Sequence, residues 1–331
     1  MGIIVTTHPE SPFLVELVKY PNMAGIRLNT IMPIRSPERT LESLRNKVGS
    51  LDLWIDLKCR QIRVSRSNTY NEVKGYREYT IDDKTYIIDP SNPRTSGDLY
   101  TPPWSYIEID HKISVDLSKP ITCWFGDGKE KARLVDIIDG NKLVMLDGPK
   151  RVVGSGEGIN IVDPSLVIEG YFTPRDLEYI DAAKFLGIHT YMLSYVEKNS
   201  DIEELLELDP KAIVIAKIES KKGVKWVESS YEKYKDRVTL MAARGDLYTE
   251  VGRPDSILGA LGSIILSDNR AILASRILTS LSDSTRPNCS DITDLGYAYL
   301  MGYRNFMMGD ELCFDKDKIF LALDILSSIM E

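Results

Sequence analysis

The chain has 331 residues, with 41 Lys and Arg against 49 Asp and Glu, so its formal net charge is −8. That length suggests one large α/β barrel or two domains, and the 43% hydrophobic fraction is ordinary for a globular protein with a sizeable core. An acidic chain without a Lys/Arg block argues against nucleic-acid partners, and the longest apolar run, Ile257 to Leu266, is interrupted by Gly and Ser and too short for a membrane span.

The opening Met1-Gly2-Ile3-Ile4-Val5 carries no basic segment or cleavage site, so no secretory leader is expected. Cys59, Cys123, Cys289 and Cys313 are scattered, with no C-x-x-C pair, and only His8, His111 and His189 are present. This pattern reads as reduced thiols in a cytoplasmic protein, without a zinc site or a Ser-His-Asp triad. The three histidines read as surface or capping residues, and the four tryptophans as packing.

Eight short apolar runs predict strands: Ile3–Thr6, Ala24–Leu28, Leu53–Leu57, Thr190–Leu193, Ala212–Ile218, Val238–Ala242, Ala271–Ala274 and Asn305–Met308. Between them, Ser36–Lys47, Pro174–Phe185, Ile202–Leu208, Lys222–Ser230 and Lys318–Met330 have helical spacing. Strands alternating with helices and buried on both faces predict a parallel sheet, and eight repeats of the unit predict a closed (β/α)8 TIM barrel. One stretch breaks the rhythm. Tyr76–Ile88, Tyr106–Leu117, Ile121–Phe125, Lys131–Ile138 and Asn141–Leu146 are short strands separated by turns such as Asp139-Gly140-Asn141 and Asp147-Gly148-Pro149. They predict a small antiparallel β domain over 63–164, inserted into a barrel made of 1–62 and 165–331. Asp89 to Gly97 is expected to be a mobile loop.

In such a barrel, active residues sit at the C-terminal ends of the strands. Side chains alternate along a strand, so Lys217 and Glu219, at the end of the fifth run, face the same way. The sixth run ends in Arg244-Gly245-Asp246, and Glu219 with Asp246 suits a hard divalent cation that keeps positions open for substrate oxygens. Lys217 beside that cation is a point charge for a phosphoryl group or an enolate, and Gly245 lets backbone approach a ligand. Arg27-Leu28-Asn29 and Asp56-Leu57-Lys58 add charge and an amide at two more strand ends. A lone charge there reads as a strand-end salt bridge; Lys217, Glu219, Arg244 and Asp246 together read as a ligand site.

These residues resemble the pyruvate kinase family, in order from residue 2 to about 330. Arg27-Leu28-Asn29 resembles the family's R-L-N, Asp56-Leu57-Lys58 its D-T-K, and Lys217-Ile218-Glu219 its K-I-E. Ala243-Arg244-Gly245-Asp246-Leu247 matches its A-R-G-D-L in full, Ala274-Ser275 stands at its A-T, and Asp310-Glu311 is similar to its G-E. The resemblance implies that Glu219 and Asp246 hold Mg2+ or Mn2+ against phosphoenolpyruvate. It implies that Lys217 stabilises the transferring phosphoryl group and the enolate. Arg27 would grip the phosphate, Arg244 and Gly245 would contact substrate, and Ser275 would stand near the protonated carbon. Asn29 and Asp56 would hold K+, the inserted domain would be a lid carrying Asp127, and ADP or ATP would be the second substrate. The family's C-terminal regulatory domain is expected to be absent, and the terminal helix or barrel wall could pair two copies.

Departures cluster on the nucleotide and K+ sides. Thr30-Ile31-Met32 replaces the family's F-S-H, Glu157 replaces a lid lysine, and Cys59-Arg60-Gln61 replaces G-P-E. Lys58, Arg60 and Arg63 are the nearest substitutes for a nucleotide contact. Three readings therefore stay open: a minimal phosphoenolpyruvate–ADP phosphotransferase, a metal-dependent enzyme that enolises a 2-oxo acid, and a non-catalytic metabolite-binding paralogue.

Overall fold

A computed structural model describes residues 2–32, 36–67, 77–81, 84–88, 104–151 and 153–330. The chain divides into two compact units, one of residues 1–59 with 172–331 and one of residues 60–171. The expected mobile loop at 89–97 lies outside the described residues.

The first unit is the TIM barrel that the eight apolar runs predict. Its strands are β1 (Gly2–Thr6), β2 (Met23–Asn29), β3 (Asp52–Leu57), β4 (Thr190–Leu193), β5 (Ile213–Ile218), β6 (Val238–Ala243), β7 (Ile272–Ala274) and β8 (Asn305–Met308). Each pairs in parallel with its neighbours in sequence, and β8 closes on β1. Inside, one apolar layer packs Ile4, Trp54, Met192, Ile215, Met241, Ile272 and Met307. β2 contributes Gly25 there, because any Cβ would meet the Trp54 ring at 2.7 Å. The indole thus fills two strands' share of the interior.

The helices follow from local chemistry. Pro37–Val48 starts with a proline, whose missing N–H costs nothing in the first turn. Pro174–Phe185 carries a capping box between Thr173 and Asp176. The helix Ser256–Ser267 escapes periodicity because it is apolar nearly all round: Leu261 and Ile264 are buried, while Leu258 and Leu266 face solvent.

At the N-terminal ends of the strands, one device appears twice. Asp209, ending the helix Asn199–Leu208, accepts from the Tyr191 hydroxyl (2.8 Å), the Lys211 N–H (3.1 Å) and His189 Nδ1 (2.7 Å). Asp268, ending Ser256–Ser267, accepts from the Tyr231 hydroxyl (2.6 Å), the N–H groups of Leu240 and Arg270 (both 3.0 Å) and the Arg270 guanidinium (Nε 3.0 Å). Each carboxylate seals the step from a helix into the next strand.

The second unit holds a six-stranded antiparallel sheet in the order Ile159–Ile161, Ile121–Phe125, Glu130–Ile138, Lys142–Leu146, Trp104–Ile109 and Val64–Ser67. Ile107, Phe125, Leu134, Leu143 and Met145 form its core. Asp139 and Gly140 both take positive φ, as the Asp-Gly turn requires. Within the expected run Tyr76–Ile88, Arg77–Ile81 pairs antiparallel with Lys84–Ile88. Tyr106–Leu117 divides into Trp104–Ile109 and Ile113–Ser114, separated at Asp110 to Lys112. Among the described residues no helix is long and apolar enough to cross a membrane.

Candidate active site

Two residues beyond the apolar layer on each strand, the interior changes character. β1 to β5 contribute Thr6, Arg27, Asp56, Ser194 and Lys217, whereas β6 and β7 contribute only Ala243 and Ala274. Strand alternation brings the polar side chains into one layer at the C-terminal rim. Arg27 donates through Nε to Asp56 Oδ2 at 2.7 Å, through Nη2 to the same oxygen at 2.5 Å, and through Nη1 to Thr6 Oγ1 at 2.8 Å. Lys217 Nζ lies 2.8 Å from Ser194 Oγ, 3.2 Å from Asp56 Oδ1 and 3.2 Å from Glu219 Oε1.

Burial opposes charge on every group in this layer, and the pairings decide the outcome. Burial would raise the Asp56 carboxyl, but Lys217 and Arg27 outweigh it and hold it at about 2. Burial would depress the Lys217 ammonium, but Asp56 and Glu219 outweigh it, so the lysine stays charged above its ordinary pKa. Glu219 goes the other way. Burial pushes its carboxyl up to about 7; Lys217 pulls it down and Asp246 adds to the rise. A buried carboxylate with too little positive charge beside it is a site that a cation would complete.

The second carboxylate, Asp246, lies half-buried in the first turn of the helix Arg244–Glu250. Tyr195, just past β4, stands beside both: its N–H donates to Glu219 Oε2 at 2.8 Å and its buried phenol interacts with Asp246. Among the described residues no group of three or more His, Cys, Asp or Glu side chains can hold a metal unaided. Two carboxylates at the ends of adjacent strands do fit Mg2+ or Mn2+, ions that take their remaining oxygens from water and substrate.

The other expected site residues divide. Arg244 is buried and its guanidinium is occupied: Nη1 donates to both Asp294 oxygens at 2.8 Å, Nε and Nη2 to the Ser275 carbonyl, and Nη2 to the Arg276 carbonyl. It pins Ser275 and Arg276, which both adopt positive φ. Gly245 is buried inside the helix turn that carries Asp246. Asn29 donates to Asp310 Oδ2 at 2.9 Å and accepts the Ile31 N–H at 3.1 Å, while Asp310 Oδ1 sits 3.3 Å from Arg27. Toward K+ these groups offer little: both Asp56 oxygens face protein cations, Asn29 Oδ1 already accepts one hydrogen bond, and Ile31 and Leu57 bring no side-chain oxygen. Asp127 and Arg63 belong to the 60–171 unit. Asp127 is exposed in a turn, and Arg63 donates to the Gly156 carbonyl at 2.6 Å and to the Gln61 side chain. Ser194 and Tyr195 went unseen in the sequence; their only signal is their place after a predicted strand.

A family model described as the pyruvate kinase barrel domain matches residues 32–314. The pyruvate kinase of Thermotoga maritima is 26% identical over 316 residues, covering 84% of this chain and 66% of the relative. That of Borreliella burgdorferi is 22% identical over 313 residues, covering 92% of this chain and 61% of the relative. Pyruvate kinase 1 of Saccharomyces cerevisiae is 25% identical over 245 residues, with 70% of this chain and 48% of the relative covered. The chain thus spans between about half and two thirds of these relatives' length. With the barrel, the rim lysine between its carboxylates and the matched motifs all agreeing, the chain belongs to the pyruvate kinase family.

Proposed function

We propose that the protein is a pyruvate kinase-like phosphotransferase that moves the phosphoryl group of phosphoenolpyruvate to ADP, giving pyruvate and ATP. The observation that carries the reading is Lys217, charged and 3.2 Å from both Asp56 and Glu219 in a layer shared with Arg27. The bond between phosphorus and the enol oxygen breaks, phosphorus bonds to the terminal oxygen of ADP, and the enolate takes a proton at carbon. Such transfer is catalysed by positioning and fixed charge. Lys217 balances charge on the moving phosphoryl group and on the enolate oxygen. Arg27 orients the phosphate, and Ser275 faces the carbon to be protonated. Glu219 and Asp246 would hold a divalent ion, which would add positive charge to offset the negative charge of the substrate.

A second reading, enolisation of a 2-oxo acid without nucleotide, draws on two residues. Glu157, where the family has a lysine, pairs with the Arg151 guanidinium, and Met32 is buried where the family has a histidine. Phosphorus NMR of the protein with phosphoenolpyruvate, ADP and Mg2+ separates the two. ATP is expected at the same rate with and without K+, and Lys217→Met is expected to cut it at least a thousandfold, beyond about 4 kcal/mol of transition-state stabilisation. Absence of ATP together with exchange of pyruvate methyl protons into deuterated solvent overturns the first reading in favour of the second.

A further inference from the structure

We propose that Tyr195 is the positioning residue of the divalent-cation site, clamping Glu219 through its main-chain N–H and Asp246 through its hydroxyl; this rests on reading those two carboxylates as the cation's donors.

Two carboxylates side by side repel, and Asp246 lies only half-buried on a short helix. Something must hold the pair convergent before a cation arrives. Lys217 contacts Glu219 Oε1, on the side shared with Asp56 and Ser194. The other oxygen, Oε2, accepts the Tyr195 N–H at 2.8 Å, and the phenol of the same residue reaches Asp246. One residue therefore joins the end of β5 to the turn after β6. Both donors are neutral, so they orient the oxygens without supplying the charge that would displace a cation; a lysine or arginine there would compete with it.

The backbone shows the cost of this placement. Tyr195 has φ +51°, a left-handed conformation unusual for a bulky aromatic residue, and its side chain is buried. In that conformation the N–H and the ring serve the two carboxylates from one position. Strain of this sort persists where surrounding structure enforces it, commonly at functional sites.

Tyr195→Phe removes the hydroxyl and keeps the ring, and the readout is Mn2+ affinity by electron paramagnetic resonance without substrate. The wild type is expected to bind one Mn2+ and the variant to bind it about 10–100-fold more weakly, the usual effect of losing a partner of a ligating carboxylate. Circular dichroism checks folding. Tyr191→Phe, which removes a buried hydroxyl at the other end of the barrel, is expected to lower the melting temperature and leave Mn2+ affinity unchanged. In turnover, the Mg2+ concentration for half-maximal rate rises by the same factor, while the rate at saturating Mg2+ changes less than about threefold. Equal Mn2+ affinity in wild type and Tyr195→Phe, or an equal loss in Tyr191→Phe, overturns the clamp alone. A wild type that binds no Mn2+ overturns the donor assignment and the clamp together.

Discussion

The two ends of the barrel solve the same geometric problem with different residues. Where the chain enters a strand, at the N-terminal end, positive φ falls on Asn22, Gly49, Gly187 and Gly302. Glycine and asparagine take that conformation cheaply. Where the chain leaves a strand, at the C-terminal rim, positive φ falls on Gly252 but also on five residues with side chains, Cys59, Tyr195, Ser275, Arg276 and Leu278. Electrostatics divide the same way. At the N-terminal end, Asp209 and Asp268 are each fully partnered, and both carboxyls lie below their ordinary pKa because hydrogen bonds outweigh burial. At the rim, Glu219 is buried with its carboxyl raised to about 7. One end is arranged for stability, and the other holds strain and unbalanced charge that a ligand would relieve.

The largest effect expected from breaking this contrast is at Asp268. Asp268→Ala strips the Leu240 N–H of its carboxylate partner inside the barrel wall and takes one of three partners from the Tyr231 hydroxyl, which keeps the Val238 carbonyl and Arg270, at a cost of about 3 kcal/mol in a urea melt. The Michaelis constant for phosphoenolpyruvate should not change, because Asp268 belongs to the opposite end of the barrel. A variant that loses substrate affinity without losing stability would erase the distinction between the ends.

A pH series on the metal-free protein sharpens the contrast. Asp209 and Asp268 have lowered folded pKa values, so their stabilisation is complete above the ordinary carboxylate range and lost as pH falls through the folded values. Glu219 has the opposite sign. Its contribution is complete below 4.5, where it is protonated in both states, and is lost as pH rises from 4.5 through about 7. Stability of the metal-free protein should therefore peak on the acid side of neutrality, and Glu219→Gln should remove the decline toward pH 7 while leaving the acid limb. An unchanged decline in that variant would mean that another group carries it.

The sequence made the barrel legible because burial on both faces leaves uninterrupted β-branched runs, and Pro174–Phe185 could be bounded from its proline and capping residues. It showed less where a signal had nothing to stand against, as in Ser256–Ser267, apolar on nearly every face. At the site, alternation along β5 put Lys217 and Glu219 on one face, and the structure adds the 3.2 Å spacing between them. The work of Arg244 was not legible: its four acceptors come from Ser275, Arg276 and Asp294, far along the chain, and no motif encodes a carbonyl. Nor was that of Tyr195, whose importance depends on a φ that only the folded turn reveals.

The smallest expected effect discriminates most sharply between the ends, because stability and function should move in opposite directions. Ser275 has φ +65°, with its carbonyl held by Arg244 Nη2 at 2.9 Å. Glycine takes that conformation without the steric cost that serine bears, although it loses more freedom on folding. The carbonyl stays on Arg244 in either case. Ser275→Gly should therefore gain about 0.5–1 kcal/mol in a thermal melt. It also removes the hydroxyl assigned to the carbon that takes the proton, so turnover should fall on the order of tenfold to a hundredfold. Arg276→Gly, one residue on at φ +56°, relieves similar strain on an exposed residue and should leave turnover near wild type. If Ser275→Gly were more stable and fully active, the strain at the rim would be structural, and protonation at carbon would fall to water.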